Sequence, residues 1–263
     1  MKLALWQTAG FPSDKKANVA ALDATAAAAA AAGAALLLCP ECWLCGYNIG
    51  EDATALAEER LGESAACIAA TARQHKLAIA YGYAERDASG QLFNSVQVIG
   101  ADGVSLAHYR KTHLWGSAER AVYHPGERLE LPFEFGGFKI GLLICYDLEF
   151  PENARSLALM GADLILVPTA LTCEFAAVPD ILVPARAYEN QIYIAYCNHA
   201  GVENGMQFLG KSVLTGMDGH VLAAAGASDA LLIAQISKCA RDAAARSNPF
   251  HADRRPELYG RLL

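Results

Sequence analysis

The sequence has no cluster of lysine and arginine. Its 21 basic residues are outnumbered by 28 acidic ones, for a formal net charge of −7. Affinity for a phosphate backbone is built from concentrated positive charge, so no nucleic-acid partner is expected. Long apolar runs are scarce too. The best candidate, Ala24 to Cys39, is mostly alanine, contains Gly33 and runs into Pro40 and Glu41. It falls short of the roughly 20 residues that span a bilayer, so no membrane partner is expected either. The start MKLALWQTAG has too short an apolar stretch for a secretory signal. Eight unevenly spaced cysteines do not resemble a disulfide framework. Together these absences predict a cytoplasmic protein in a reducing compartment.

Cys39, Cys42 and Cys45 nevertheless stand at C-x-x-C-x-x-C spacing in LLLCPECWLCGYN. An iron–sulfur run of the ferredoxin type needs a fourth cysteine followed by proline, and Ile49 and Gly50 occupy that place. Zinc would need a further ligand pair, and no second C-x-x-C or H-x-x-x-H exists. The three read as small buried hydrophobes, and no metal is expected. GMQFLGKS, Gly205 to Ser212, matches the phosphate-loop pattern letter for letter. That loop works at the start of a helix, whereas VLTGMDGHVL reads as strand, turn and strand, which counts against nucleotide binding.

With 54% hydrophobic and 19% charged residues, the chain can bury a substantial core. Strand and helix signals alternate. MKLALWQ reads as a strand, and Ser13 stands where a helix N-cap would, before an alanine-rich helix that stops at Gly33. AALLLCP is the kind of run buried on both faces. A helix is predicted from about Ala53 to His75, another from Pro151 to Met160, and a third ending near Asn190. Strands are predicted at LAIAYGY, FNSVQVIG, VSLAHYR, FKIGLLICYD, DLILVPTA, IYIAYCNHA, KSVLTG and HVLAAAG, with turns at Asp102-Gly103 and Met217-Asp218-Gly219. No linker or repeat interrupts this order, which predicts a single layered α/β domain over residues 1–263. The tail 246–263 has no steady period and is expected to serve oligomer contacts.

Two stretches carry candidate chemistry. In GLLICYDLEFPENAR a buried strand ends at Cys145 and turns toward a helix, which would expose a nucleophile beside free backbone N–H groups. Taken alone, it is also what a core cysteine at a strand end looks like. In YRKTHLWGSAER, Lys111 lies among Arg110, His113, Glu119 and Arg120, which by default is a solvated charged loop. His113 also offers a Cys–His pairing with Cys145.

Set side by side, CPE at 39–41, YRKTHL at 109–114 and ICYDLEFPENAR at 144–155 resemble the carbon–nitrogen hydrolase (nitrilase) superfamily. GADLILVPTA at 161–170 and RAYENQ at 186–191 support this, in an order that covers nearly the whole chain. The resemblance implies an α/β fold of the four-layer α-β-β-α sandwich type, a homodimer or higher homo-oligomer, and no cofactor. It implies a catalytic set of Glu41, Lys111 and Cys145, with Glu119 orienting the substrate and the lysine. Lys111 and the backbone N–H of Tyr146 would hold the oxyanion. GYNIG, YGYAER and FNSVQ look most like the aliphatic amidases that act on amino-substituted substrates such as 5-aminopentanamide. Glu174 and Asp180 are then candidate acids, and Trp115 and Phe175 candidate aromatic faces, for a substrate ammonium. The same set would serve an N-carbamoyl amine hydrolase or, with weaker resemblance, a nitrilase. An inactive binding subunit would not need the complete set.

Overall fold

In the computed structural model, which describes residues 1–239, 246 and 248–260, the first elements are β1 (Lys2–Gln7), α1 (Lys15–Ala31) and β2 (Leu36–Leu38). They show why continuous apolar runs form strands here. Successive side chains of a strand leave opposite faces. Leu3, Leu5, Leu36 and Leu38 accordingly enter one buried cluster, and Ala4 and Leu37 another. The second cluster lies under α1, whose Leu22, Ala26 and Ala29 are wholly buried. Alanine lets a helix approach a sheet closely at no cost in helix propensity.

Next come α2 (Asp52–Leu56), α3 (Glu63–His75), β3 (Ala78–Arg86), β4 (Leu92–Ile99), β5 (Ser105–Arg110) and α4 (Gly116–Val122). β6 (Phe133–Phe135), β7 (Phe138–Leu142), α5 (Pro151–Leu159), β8 (Leu164–Thr169), α6 (Val183–Asn190) and β9 (Tyr193–Asn198) follow. The remaining strands are β10 (Val202–Glu203), β11 (Met206–Gln207), β12 (Val213–Thr215), β13 (Val221–Ala224) and β14 (Ala230–Gln235). One six-stranded sheet has the order β14-β1-β2-β3-β4-β5 and the other β13-β12-β9-β8-β7-β6. Inward residues of the first, such as Leu36 and Val96, share a cluster with Ile140, Leu164 and Ile194 of the second. Helices α1 and α3 cover the first sheet through Leu22, Ile68 and Ala72, and α5 and α6 supply Leu157, Val183 and Ala187 to the core of the second. The fold is a four-layer α-β-β-α sandwich.

β1, β2 and β3 are parallel, and two antiparallel steps through β4 return β5 to the same direction. β7, β8 and β9 are also parallel. A parallel bridge from Thr8 to His199 ties the C-terminal ends of β1 and β9 together. Strand ends of this kind are where ligands gather in layered α/β folds.

Several expectations shift. Asp14, not Ser13, caps α1, its side chain accepting from the Ala17 N–H at 2.9 Å. Ser13 has a left-handed backbone (φ 60°), and its N–H donates to the Cys45 carbonyl. The helix predicted from 53 to 75 is two helices. Between them Glu58 leaves the helical path to pair its backbone with Ala84 and Arg86 of β3. The helix ending at Asn190 begins only at Val183. Before it lie a 3₁₀ turn (Cys173–Phe175) and a π-type turn (Val178–Leu182), in which Pro179 removes an N–H from the helical ladder. Strands β6, β10, β11 and β14 have no counterpart in the sequence expectations. Residues 247 and 261–263 of the tail lie outside the described residues. Of the rest, the Asn248 carbonyl accepts from Gln191 at 2.7 Å and Phe250 packs edge-on against Tyr188. No helix among the described residues is long and apolar enough to cross a membrane.

Candidate active site

β2 ends at Leu38, and Cys39 still donates to the Ala80 carbonyl of β3 at 2.8 Å. Pro40 has no N–H to continue that ladder, so the chain turns there and delivers Glu41 at the strand end. Gly82 of β3 lies directly under this turn. A Cβ on it would stand 2.5 Å from the Cys42 nitrogen, 2.6 Å from the Pro40 oxygen and 2.8 Å from the Glu41 Cα. From the far side the His199 Nε2–H donates to the Glu41 carbonyl at 2.7 Å.

Glu41 is completely buried. Its Oε1 accepts from Asn94 Nδ2 and from Lys111 Nζ, each at 2.7 Å. Lys111, one residue past β5 and equally buried, also donates to Glu119 Oε1 at 2.7 Å. Glu119, on α4, accepts from the Tyr47 hydroxyl at 2.6 Å through Oε1 and from the Trp115 N–H at 2.9 Å through Oε2. The ammonium thus bridges two carboxylates. Burial by itself would drive the Lys111 pKa down, but the charges of Glu41 and Glu119 outweigh it and hold the pKa well above the usual lysine value. Burial raises Glu41 above the ordinary carboxylate range against the opposing pull of Lys111. Its Oε2 is buried without a hydrogen-bond partner among the described residues.

Cys145 opens a 3₁₀ turn (Cys145–Glu149) after β7, with φ 47°. A left-handed backbone is uncommon outside glycine and strained. Asp147 holds the turn in place. Fully buried, it accepts from the Tyr109 hydroxyl, the Thr112 hydroxyl and the backbone N–H groups of His113 and Ile144, at 2.8–3.1 Å. The Cys145 thiol pKa is pushed well up by burial first and then by the charge of Glu41, while Lys111 and the Ala170 backbone pull it down. Tyr146 packs its ring edge-on against Phe150. In the first turn of the 3₁₀ helix, its N–H has no partner within the helix.

Cys145 is 6% exposed and opens on a cavity of about 20 Å³, lined also by Tyr47, Trp115, Glu149, Phe175 and Met206. Trp115 and Phe175 meet edge to face, with centroids 5.7 Å apart. Both also line the wider open mouth outside, where Glu174 sits. Asp180 lies on neither surface and pairs with Lys211 at 2.6 Å. His113 does not line the cavity. It stacks on Phe150 and shares Asp147 with Thr112. The sulfurs of the cysteine triplet diverge, Cys39 into the core under the helices and Cys42 and Cys45 into a separate cluster with Ile49 and Ala53. In Gly205–Ser212, Lys211 is held by Asp180, and β12 follows directly, with no helix. A concavity of about 950 Å³ lies elsewhere, around Arg110, His108 and Arg128. Asn94, Tyr47, Asp147 and Glu149 stand inside the motifs FNSVQ, GYNIG and ICYDLEFPENAR, but nothing in the sequence marks them or His199 individually.

A four-layer sandwich that gathers two carboxylates, an ammonium and a thiol at its strand ends is built as the nitrilase superfamily is built. Residues 2–245 match the carbon-nitrogen hydrolase family, and the chain belongs to it. It is similar to a Pseudomonas protegens protein described as a hydrolase in the pqqF 5′ region, 45% identical over all of this chain and 92% of that one. An (R)-stereoselective amidase of a Pseudomonas species is 34% identical, over 99% of this chain and 93% of the other. Among solved structures, an amidase from Nesterenkonia sp. AN1 superposes with a TM-score of 0.91 at 35% identity, over 100% of this chain and 97% of its own. That protein has been solved with E41Q and C145A substitutions in complex with acrylamide, and with C145A in complex with butyramide. The chain is thus an amidohydrolase that acts on C–N bonds.

Proposed function

We propose that the protein hydrolyses short aliphatic amides to carboxylate and ammonia through a thioester on Cys145, with amino-substituted amides such as 5-aminopentanamide among its substrates. The observation that supports this is the wholly buried Lys111 ammonium, 2.7 Å from both Glu41 and Glu119, beside the cavity on which Cys145 opens. In this reading Glu41 takes the thiol proton as the sulfur attacks the amide carbon. Burial raises the pKa of both the thiol and the carboxylate, so the sulfur calls for a base and Glu41 is a stronger one than an exposed carboxylate would be. Lys111 and the Tyr146 N–H hold the oxyanion, each donor worth on the order of 3 kcal/mol. Collapse breaks the C–N bond, and Glu41 returns its proton to the departing ammonia. Glu41 then takes a proton from water, whose oxygen attacks the thioester carbon and releases the acid and the thiol. Glu119 keeps Lys111 oriented.

The ligand complexes of the Nesterenkonia protein support the substrate class. The eight free cysteines support a cytoplasmic setting. We further infer one domain over residues 1–263 and a homo-oligomer whose contacts include the tail. The test is an ammonia-release screen over aliphatic amides, N-carbamoyl amines and nitriles. Cys145→Ala and Glu41→Gln should each abolish turnover of the best amide. Near-normal rates in either variant would overturn the assignment.

A further inference from the structure

One charged group at the cavity takes no part in the machinery above. Glu149, at the end of the 3₁₀ turn that begins at Cys145, lines the same cavity as the sulfur. Its backbone is fixed, because its carbonyl accepts from Arg186 Nη2 at 2.9 Å and the preceding carbonyl, of Leu148, accepts from Arg186 Nε at 3.2 Å. Its carboxylate, by contrast, has neither a hydrogen bond nor an ion pair with any described residue. The two cations whose charge reaches it are both engaged elsewhere: Lys111 with Glu41 and Glu119, and Arg186 with Glu189 and those carbonyls.

Among the described residues, no lysine or arginine lines the cavity or its mouth. The walls instead offer Trp115 and Phe175, and Glu174 at the rim. A half-buried carboxylate with no cation of its own, beside aromatic faces, is a place where a positive group is stabilised and a negative one is repelled. We propose that Glu149 is the specificity-determining residue of this site: it receives the ammonium of a cationic amide and excludes amides that carry a carboxylate. This rests on the amidase reading above and adds to it the residue that selects the charge of the substrate.

Three amides built on one propanamide chain separate the charges: 3-aminopropanamide is cationic, butyramide is its neutral isostere, and succinamate, which ends in a carboxylate, is the anionic counterpart. The wild type should show a kcat/KM for 3-aminopropanamide about 10–100-fold above that for butyramide, the range of one charged hydrogen bond, with succinamate last. In Glu149→Gln the ratio of 3-aminopropanamide to butyramide should fall at least tenfold, through KM for the cationic amide. Glu149→Asp should keep part of the preference, and Glu149→Lys should move it toward succinamate. A wild type that handles butyramide as well as 3-aminopropanamide overturns the inference without any variant being made. So does a Glu149→Gln ratio equal to that of the wild type. Either result leaves the amidase reading standing, whereas failure to release ammonia from any amide would remove that reading and this one together.

Discussion

Gly82 offers the sharpest test of how the fold positions Glu41. The position is not one that requires left-handed backbone; what excludes a side chain is backbone packed against it from the neighbouring turn. A methyl group at Gly82 would meet the Cys42 nitrogen at 2.5 Å, the Pro40 oxygen at 2.6 Å and the Glu41 Cα at 2.8 Å, and none of these can swing aside as a side chain could. Restoring ordinary contact requires β3 and the 40–42 turn to part by about 1 Å, an overpacking strain of about 1–3 kcal/mol. The strain is expected in Tm at about 2–4 °C per kcal/mol for a protein of this size. A displacement of about 1 Å at a reacting group costs about 100-fold in rate, so Gly82→Ala should lose that much kcat/KM on the best amide while keeping its far-UV circular dichroism. Gly226, where an added Cβ meets nothing within 4 Å, provides the control, and Gly226→Ala should stay within about 0.5 kcal/mol of wild type. If Gly82→Ala kept wild-type turnover and Tm, the close approach of β3 would not be what sets Glu41.

Lys111→Met keeps the volume but leaves two buried carboxylates without their shared cation, so urea denaturation should show a loss of about 3–5 kcal/mol. The loss should shrink at lower pH as one carboxylate takes up a proton, and a variant as stable as wild type would contradict the geometry. Burial lowers the His199 pKa from 6.5 to about 4, so the unfolded chain binds a proton there that the folded one refuses. Its contribution, about 2–4 kcal/mol, is fully present above pH 6.5 and lost as pH falls to about 4, and urea midpoints for His199→Gln across that window should vary less than those of the wild type. Burial raises the Glu85 pKa, but bonds from His108, Arg110 and Ser95 outweigh it and bring the value from 4.5 to about 2. The resulting stability, about 2–3 kcal/mol, is present above pH 4.5 and lost toward pH 2, a loss that Glu85→Gln should not show.

The strands that the sequence announced most clearly were those buried on both faces. Leu36–Leu38 needs no knowledge of its partners to be recognised, because any strand between two layers must be apolar in consecutive positions. β14 was harder. Its residues Ala230–Gln235 pair with Lys2–Gln7 from the opposite end of the chain, and no local period records such a pairing. Glu58 breaks a helix through bonds to Ala84 and Arg86, partners distant in sequence that outweigh local helix propensity.

By itself, the sequence determined which residue types could act and where strands would end: Pro40 stops a ladder, and the turn after the β7 run presents Cys145. The tertiary structure alone decided which charges meet. Asn94 reaches Glu41 across 53 residues and Tyr47 reaches Glu119 across 72, while Asp180 is drawn off to Lys211. Electrostatic pairing depends on distances through space, and two sheets packed face to face bring together side chains that the order of residues keeps apart. Glu149 belongs to the same account, since its carboxylate is distinctive only for lacking a partner, and that is settled by everything folded around it.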